Sequence, residues 1–181
     1  MQPRLLLDSA RLALTIDRLC HQLIEQHRNF QDTCLIGVQP RGVALAERIH
    51  ARLSKILKTQ KIDFGKLDIT FHRDDFRQQG KPLTAHETSI NFEVENRNVV
   101  LIDDVLFTGR TIRAALDALL AFGRPKDVEL LVLIDRRLQR HVPIQAKYVG
   151  KIVDSITTEK VKVEWKETDG EDKVWVMNEG L

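Results

Sequence analysis

Apolar positions in this chain recur at two periods, and the switches between them mark its elements. Leu12, Ile16, Leu19, Cys20, Leu23 and Ile24 follow Asp8 at helical spacing, and Asp8 is a good N-cap, so the pattern predicts a helix over about residues 8–27. Thr33–Val38 (TCLIGV) is a short apolar strand closed by Gln-Pro-Arg-Gly. Val43, Leu45, Ala46, Ile49, Leu53, Ile56 and Leu57 then mark a second amphipathic helix. Lys66–Phe71 (KLDITF) alternates like a strand and leads into a long polar connection broken by Gly80 and Pro82. Val99–Ile102 (VVLI) reads as a strand that ends in Asp103 and Asp104. A helix from Gly109 or Arg110 to Phe122 and a strand over Val128–Ile134 follow, with shorter strands near 148–149, 161–165 and 174–177.

Strand and helix alternate, and the strands are nearly continuous apolar runs. That combination predicts an α/β fold in which a mostly parallel sheet carries helices on both faces. Ligands of such sheets bind beyond the carboxyl ends of the strands. Two unusual turns lie there: Gln-Pro-Arg-Gly at 39–42 and the stretch D-D-V-L-F-T-G-R-T at 103–111.

Composition narrows the setting. With 181 residues, 43% hydrophobic and 30% charged, the chain is expected to fold as one domain around a proper core. No apolar run approaches the roughly 20 residues that span a bilayer, and the start of the chain lacks the pattern of a signal peptide. No membrane association and a cytoplasmic location are therefore expected. Cys20 and Cys34 form no CxxC pair, and Cys20, on the apolar side of a predicted helix, reads as an inert buried thiol. The net charge of +2 is too small to announce nucleic acid. Its distribution is uneven, however: Arg136, Arg137, Arg140, His141, Lys147 and Lys151 precede a segment rich in Glu164, Glu167, Asp169, Glu171 and Asp172. Two solvated faces of opposite sign would account for this equally well.

The chemistry centres on residues 103–111. Thr108-Gly109-Arg110-Thr111 opens a helix, whose free N–H groups and positive dipole end suit a phosphate. Neither GxxxxGK[ST] nor GxGxxG is present. Carboxylates beside a phosphate repel it unless hydroxyl donors or a hard cation intervene. The pattern thus asks for a phosphorylated sugar with free hydroxyls, accompanied by Mg²⁺. The bland rival is an aspartate pair that only caps a strand and a helix.

D-D-V-L-F-T-G-R-T after V-V-L-I resembles the phosphoribosyl-pyrophosphate motif of the type I phosphoribosyltransferases. I-G-V-Q-P-R-G-V-A-L-A-E-R-I, L-D-I-T-F-H-R-D-D, L-V-L-I-D-R and P-I-Q-A-K-Y-V-G-K are similar to segments of the pyrimidine operon regulatory protein/uracil phosphoribosyltransferase subfamily. The resemblance spans nearly the whole chain. It implies the type I phosphoribosyltransferase fold over residues 1–181, with a flexible loop at about 72–92 and a small hood at about 135–165 joined by the N-terminal segment. The implied reaction joins uracil to 5-phosphoribosyl diphosphate, giving UMP and diphosphate.

Carried onto this sequence, the resemblance assigns Asp103 and Asp104 to the ribose hydroxyls and to magnesium held by the substrate, with no direct metal ligand in the protein. Val105, Leu106, Phe107, Thr108, Gly109, Arg110 and Thr111 would cradle the 5′-phosphate. Gln39, Pro40, Arg41 and Gly42 would hold the diphosphate, Arg41 as a fork against two of its oxygens. Arg73 and Lys81 would close over it, although Lys81 reads equally as an exposed loop cation. Asp135 and Arg136 would line the base side, with a surface ion pair as the rival. The resemblance also implies that Gln39–Pro40 can be cis, for which proline lowers the cost.

Regulators of this subfamily bind the leader of pyrimidine messenger RNA, and relatives form homodimers or homotetramers. Arg18, His21, His27, Arg28, Arg140 and Lys151 are the residues here that can form a basic face. Asp17 stands where such regulators carry a threonine, and Gln145 where they carry an arginine; an aspartate facing a phosphate backbone costs affinity. His21 reads equally as a solvent-facing helical residue. A UMP-sensing RNA regulator with little catalysis and a purine phosphoribosyltransferase are the alternative functions, since the phosphate motif never touches the base.

Overall fold

The computed structural model describes residues 3–58, 61–74, 85–155 and 158–178. In chain order its elements are β1 (Arg4–Leu7), α1 (Ser9–His27), β2 (Thr33–Val38), α2 (Gly42–Leu57), β3 (Phe64–Leu67), β4 (Asn98–Leu106), α3 (Arg110–Leu119), β5 (Asp127–Arg136), β6 (Tyr148–Val153), β7 (Glu159–Glu164), α4 (Lys166–Asp169) and β8 (Lys173–Asn178). Strands β3-β2-β4-β5-β6, in that order, make a five-stranded sheet whose neighbours all run parallel. A smaller antiparallel sheet has the order β1-β8-β7.

The continuous apolar runs are explained by burial on both faces. Along β4, Val100 and Ile102 face one core with Leu12 and Leu19 of α1 and Leu45 and Ile49 of α2. Val99 and Leu101 face the other, with Ile112, Ala115 and Leu119 of α3. The period of two divides one strand between two cores. Valines 161, 163, 174 and 176 of the small sheet join the first core. Asp8 caps α1 as its position predicts, its carboxylate accepting from Arg11 N at 2.8 Å. Leu19 is fully buried, so its truncation to alanine would cost about 2–5 kcal/mol.

Several boundaries differ from the sequence pattern. The strand over Lys66–Phe71 is instead β3, ending at Leu67. Asp68 ends it by accepting from Thr70 N and Thr70 Oγ1 at 3.1 and 2.7 Å, which turns 70–72 into a 3-10 helix. β4 does not stop at the aspartates but pairs with β5 as far as Leu106 opposite Asp135. α3 closes at Leu119, with one 3-10 turn running to Phe122. The segment 148–153 extends the large sheet beside β5, and the small sheet is built from 4–7, 159–164 and 173–178.

Of the connection expected to be flexible, 75–84 lies outside the described residues, Lys81 with it. Residues 86–89 are pinned: Ser89 exchanges both main-chain bonds with Lys66, His86 N donates to Asp68, and Thr88 Oγ1 accepts from Asp68 N.

Candidate active site

The large sheet's strands all end on one side, and the residues singled out by the sequence collect there. Gln39–Gly42 leads from β2 into α2, and its Gln39–Pro40 peptide is cis. Gly42 has ordinary φ, yet a side chain cannot fit: an added Cβ would lie 2.4 Å from Ile102 O and 2.9 Å from Asp103 Cα. Glycine therefore lets the start of α2 press against β4 at the aspartates. Gln39 is held by Leu67 O through its N–H and by Glu87 O through its side-chain amide.

Asp103 and Asp104 are each only 5% exposed. Asp103 Oδ1 accepts from Asp104 N at 2.9 Å, and Arg41 Nε stands 3.3 Å from Asp104 Oδ2. Burial, then the neighbouring charge of Asp104, push the Asp103 carboxyl well above the usual carboxylate range. Burial raises Asp104 too, with Arg41 opposing. The pair is thus held where its charge is poorly compensated, which favours donors or a cation arriving from outside.

Next along β4, residues 105–112 together with Arg73 and Asp74 wall a cavity of about 520 Å³. Gly109 adopts φ 87° and serves as the N-cap of α3, and Thr108 O accepts from His141 N and Val142 N. The helix start faces the cavity as the sequence predicts. Asp74 in that wall was missed, although H-R-D-D carries it next to Arg73.

Asp135 and Arg136, expected as neighbours on the base side, are both buried but do not pair with each other. Asp135 binds Arg140 at 2.5 Å, and Arg140 also donates to Phe107 O. Arg136 donates to Ser155 Oγ at 2.7 Å and Glu159 O at 2.6 Å, with its guanidinium carbon 3.8 Å from the Phe107 ring centroid. The two arginines tie the turn after β4 to β5 and to the small sheet. Consecutive strand residues point to opposite faces, so the two side chains take different partners.

A Gln-Pro-Arg-Gly turn with a cis peptide, a buried aspartate pair and a cavity at a helix start thus share the carboxyl end of a parallel sheet. The pattern of the phosphoribosyl transferase domain matches residues 5–168. The chain belongs to the phosphoribosyl transferase family. Within it, the chain is 46% identical over 167 residues to the bifunctional protein PyrR of Deinococcus radiodurans, covering 92% of this chain and 89% of that one. It is 42% identical over 171 residues to PyrR of Clostridioides difficile, covering 94% and 96%. The hypoxanthine phosphoribosyltransferase of Trypanosoma cruzi has a similar structure, with TM-score 0.71 over 97% of this chain and 96% of that one; at 15% identity the likeness concerns the fold alone.

The residues considered for RNA in this phosphoribosyl transferase separate into two groups. Arg18, His21, Arg28 and Lys151 are exposed, and Arg18 reaches β6, donating to Val149 O and Gly150 O. Arg140 is instead taken up by Asp135 and Phe107 O. His27 is turned inward, bonded to Glu129, Tyr148 and Thr33. Asp17 is matched by Arg52 through bonds of 2.6 and 2.9 Å, so its charge is answered within the protein. Cys20 and Cys34 are buried thiols, pushed up to about 12 and about 11 chiefly by desolvation.

Proposed function

We propose that this chain transfers the phosphoribosyl group of 5-phosphoribosyl diphosphate to uracil, giving UMP and diphosphate, as a member of the PyrR group. The observation that carries the reading is the buried pair Asp103–Asp104 between Arg41 and the cavity of residues 105–111. In this reading the 5′-phosphate lies on the start of α3, the ribose hydroxyls donate to the aspartates, and the diphosphate meets residues 39–42. The glycosidic bond to diphosphate breaks as the bond to uracil nitrogen forms, so positive charge grows on the sugar and negative charge on the leaving group. The aspartates stabilise the first and Arg41 the second. Positioning and charge carry the catalysis, with no covalent protein intermediate.

The donor set fits magnesium brought by the substrate. The two buried carboxylates set negative charge beside the place of the ribose and diphosphate, which suits a hard cation that the substrate itself carries. The ion would be held by the sugar and diphosphate next to Asp103 and Asp104, and its chemistry is to neutralise diphosphate charge. Arg41, now facing Asp104, is then free to turn to the leaving group.

For the base, Asp135 and Arg136 remain the residues assigned to its side, and Arg73 to closure over the diphosphate. Purified protein with phosphoribosyl diphosphate and Mg²⁺ would be offered uracil, hypoxanthine, guanine and orotate. UMP from uracil alone is expected; preference for a purine would overturn the assignment of the base. The relatives' name, bifunctional, motivates a second role, control of pyrimidine genes through leader RNA, with UMP as the sensed nucleotide. Arg18, His21, Arg28 and Lys151 are its contacts, while Asp17 and Gln145 count against it. Salt-dependent binding of a pyrimidine leader RNA tests it. A cytoplasmic homodimer or homotetramer completes the proposal; among the described residues no helix is long and apolar enough to cross a membrane.

A further inference from the structure

The cavity assigned to the 5′-phosphate already contains a carboxylate. Asp74 stands in its wall, and its Oδ2 lies 2.5 Å from Arg110 Nη1 and 3.7 Å from Arg113 Nη2. Arg113 is steadied by Asp117 at 2.9 Å and donates to His72 O at 3.4 Å. Two guanidiniums and the N-terminal end of α3 make this a strongly favoured place for negative charge, and a side chain of the protein occupies it.

We propose that Asp74 is an internal competitor for the phosphate: it pairs with Arg110 and Arg113, and ligand binds by displacing it. The inference rests on the reading above that this cavity takes a phosphate. A phosphate dianion brings more charge and three acceptor oxygens, so it outcompetes the single carboxylate. An uncharged ribose or nucleoside has nothing with which to evict Asp74 and leaves the pair closed. Asp74 therefore sets the affinity for phosphorylated ligands and sharpens their separation from unphosphorylated ones. A residue that merely pinned the turn after β3 would behave differently, because its neutralisation would loosen the turn and gain no affinity.

The test uses the full chain as wild type, Asp74→Asn and Asp74→Glu, with inorganic phosphate, UMP and uridine titrated by calorimetry at low and high salt. Uracil turnover and thermal melting are measured in parallel. Asp74→Asn is expected to bind phosphate and UMP about threefold to fivefold more tightly, the range for a partly exposed pair. The gain should shrink at high salt, be absent for uridine, and be absent in Asp74→Glu, which restores the carboxylate. Asp74→Ser, equally uncharged, serves if the asparagine variant fails to fold. Unchanged or weaker phosphate affinity in the folded neutral variant overturns the competitor, and does so even if uracil turnover is normal. Tighter phosphate binding in a protein that neither binds UMP nor turns over any base keeps the competitor and removes the phosphoribosyltransferase reading.

Discussion

The large sheet buries carboxylates at both ends, and it treats them in opposite ways. Near the start of β5, Glu129 is 7% exposed and surrounded by donors: Tyr148 OH at 2.6 Å, His27 Nε2 at 2.8 Å and the Lys147 ammonium. Burial raises its pKa, but those hydrogen bonds outweigh burial and hold it below the ordinary value. Near the end of β4, Asp103 and Asp104 are no more exposed, yet both are shifted upward. The fold surrounds the first carboxylate with its own donors and supplies the second pair with fewer, which is what the proposed ligand would complete. Depth of burial does not separate structure from function here; the supply of partners does.

The largest effect that would break this comparison is chemical. Asp104→Asn is expected to cut uracil turnover by roughly 10²–10³, about 3–4 kcal/mol of transition-state stabilisation, while the melting temperature stays level or rises. A fall in both would mean that the aspartates are structural after all. Glu129→Ala should do the reverse, destabilising the fold by about 3–5 kcal/mol because Tyr148, His27 and Lys147 lose their acceptor. Turnover at a temperature where that variant stays folded should be close to wild type.

Gly42→Ala tests the contact between α2 and the aspartate strand. The new methyl meets main-chain atoms of Ile102 and Asp103, so a stability loss of about 1–3 kcal/mol is expected, together with a rise in KM for phosphoribosyl diphosphate. An unchanged KM would show that the aspartates tolerate a shift of the helix.

The smallest effect is in pH dependence. Asp103 has a folded pKa above its unfolded value, so its ionised form opposes folding; the penalty is full above the raised pKa and fades as pH falls from there to the unfolded value. Glu129 has a depressed folded pKa, so its contribution is present above the unfolded value and lost as pH falls through the folded one. Asp103→Asn should therefore be more stable than wild type at neutral pH and lose that advantage as pH falls through the raised pKa of Asp103 toward its unfolded value. The deficit of Glu129→Gln should persist over the same span. Urea unfolding at several pH values reads both.

Much of this arrangement is legible in the sequence, because it is local. The runs TCLIGV and VVLI gave parallel strands, Asp8 gave a cap, and the glycine turn at 108–111 marked a helix start. What escaped depends on distant partners. β1 is four residues long and takes its pairing from β8 at the far end of the chain. The short strands near 148–149, 161–165 and 174–177 carry no local sign of their partners: the first joins the large sheet, and β7 and β8 make a separate one. Arg140 read as a surface cation, since nothing nearby reveals Asp135 and Phe107 O as its acceptors. His27 was within reach: it continues the buried series Ile16, Cys20 and Leu23 at helical spacing, and Thr33, Glu129 and Tyr148 answer its ring.

Arg18 has a consequence for the handling of this protein. β6 is an edge of the large sheet, and edge strands offer main-chain groups to other chains. Arg18 bonds Val149 O and Gly150 O across that edge and puts a charge beside it. A neutral residue at 18, made to remove an RNA contact, would at the same time uncover a surface that can recruit further molecules by strand addition. Such a variant belongs in a light-scattering cell before it goes into a binding assay, because aggregation would lower the active fraction and imitate lost recognition.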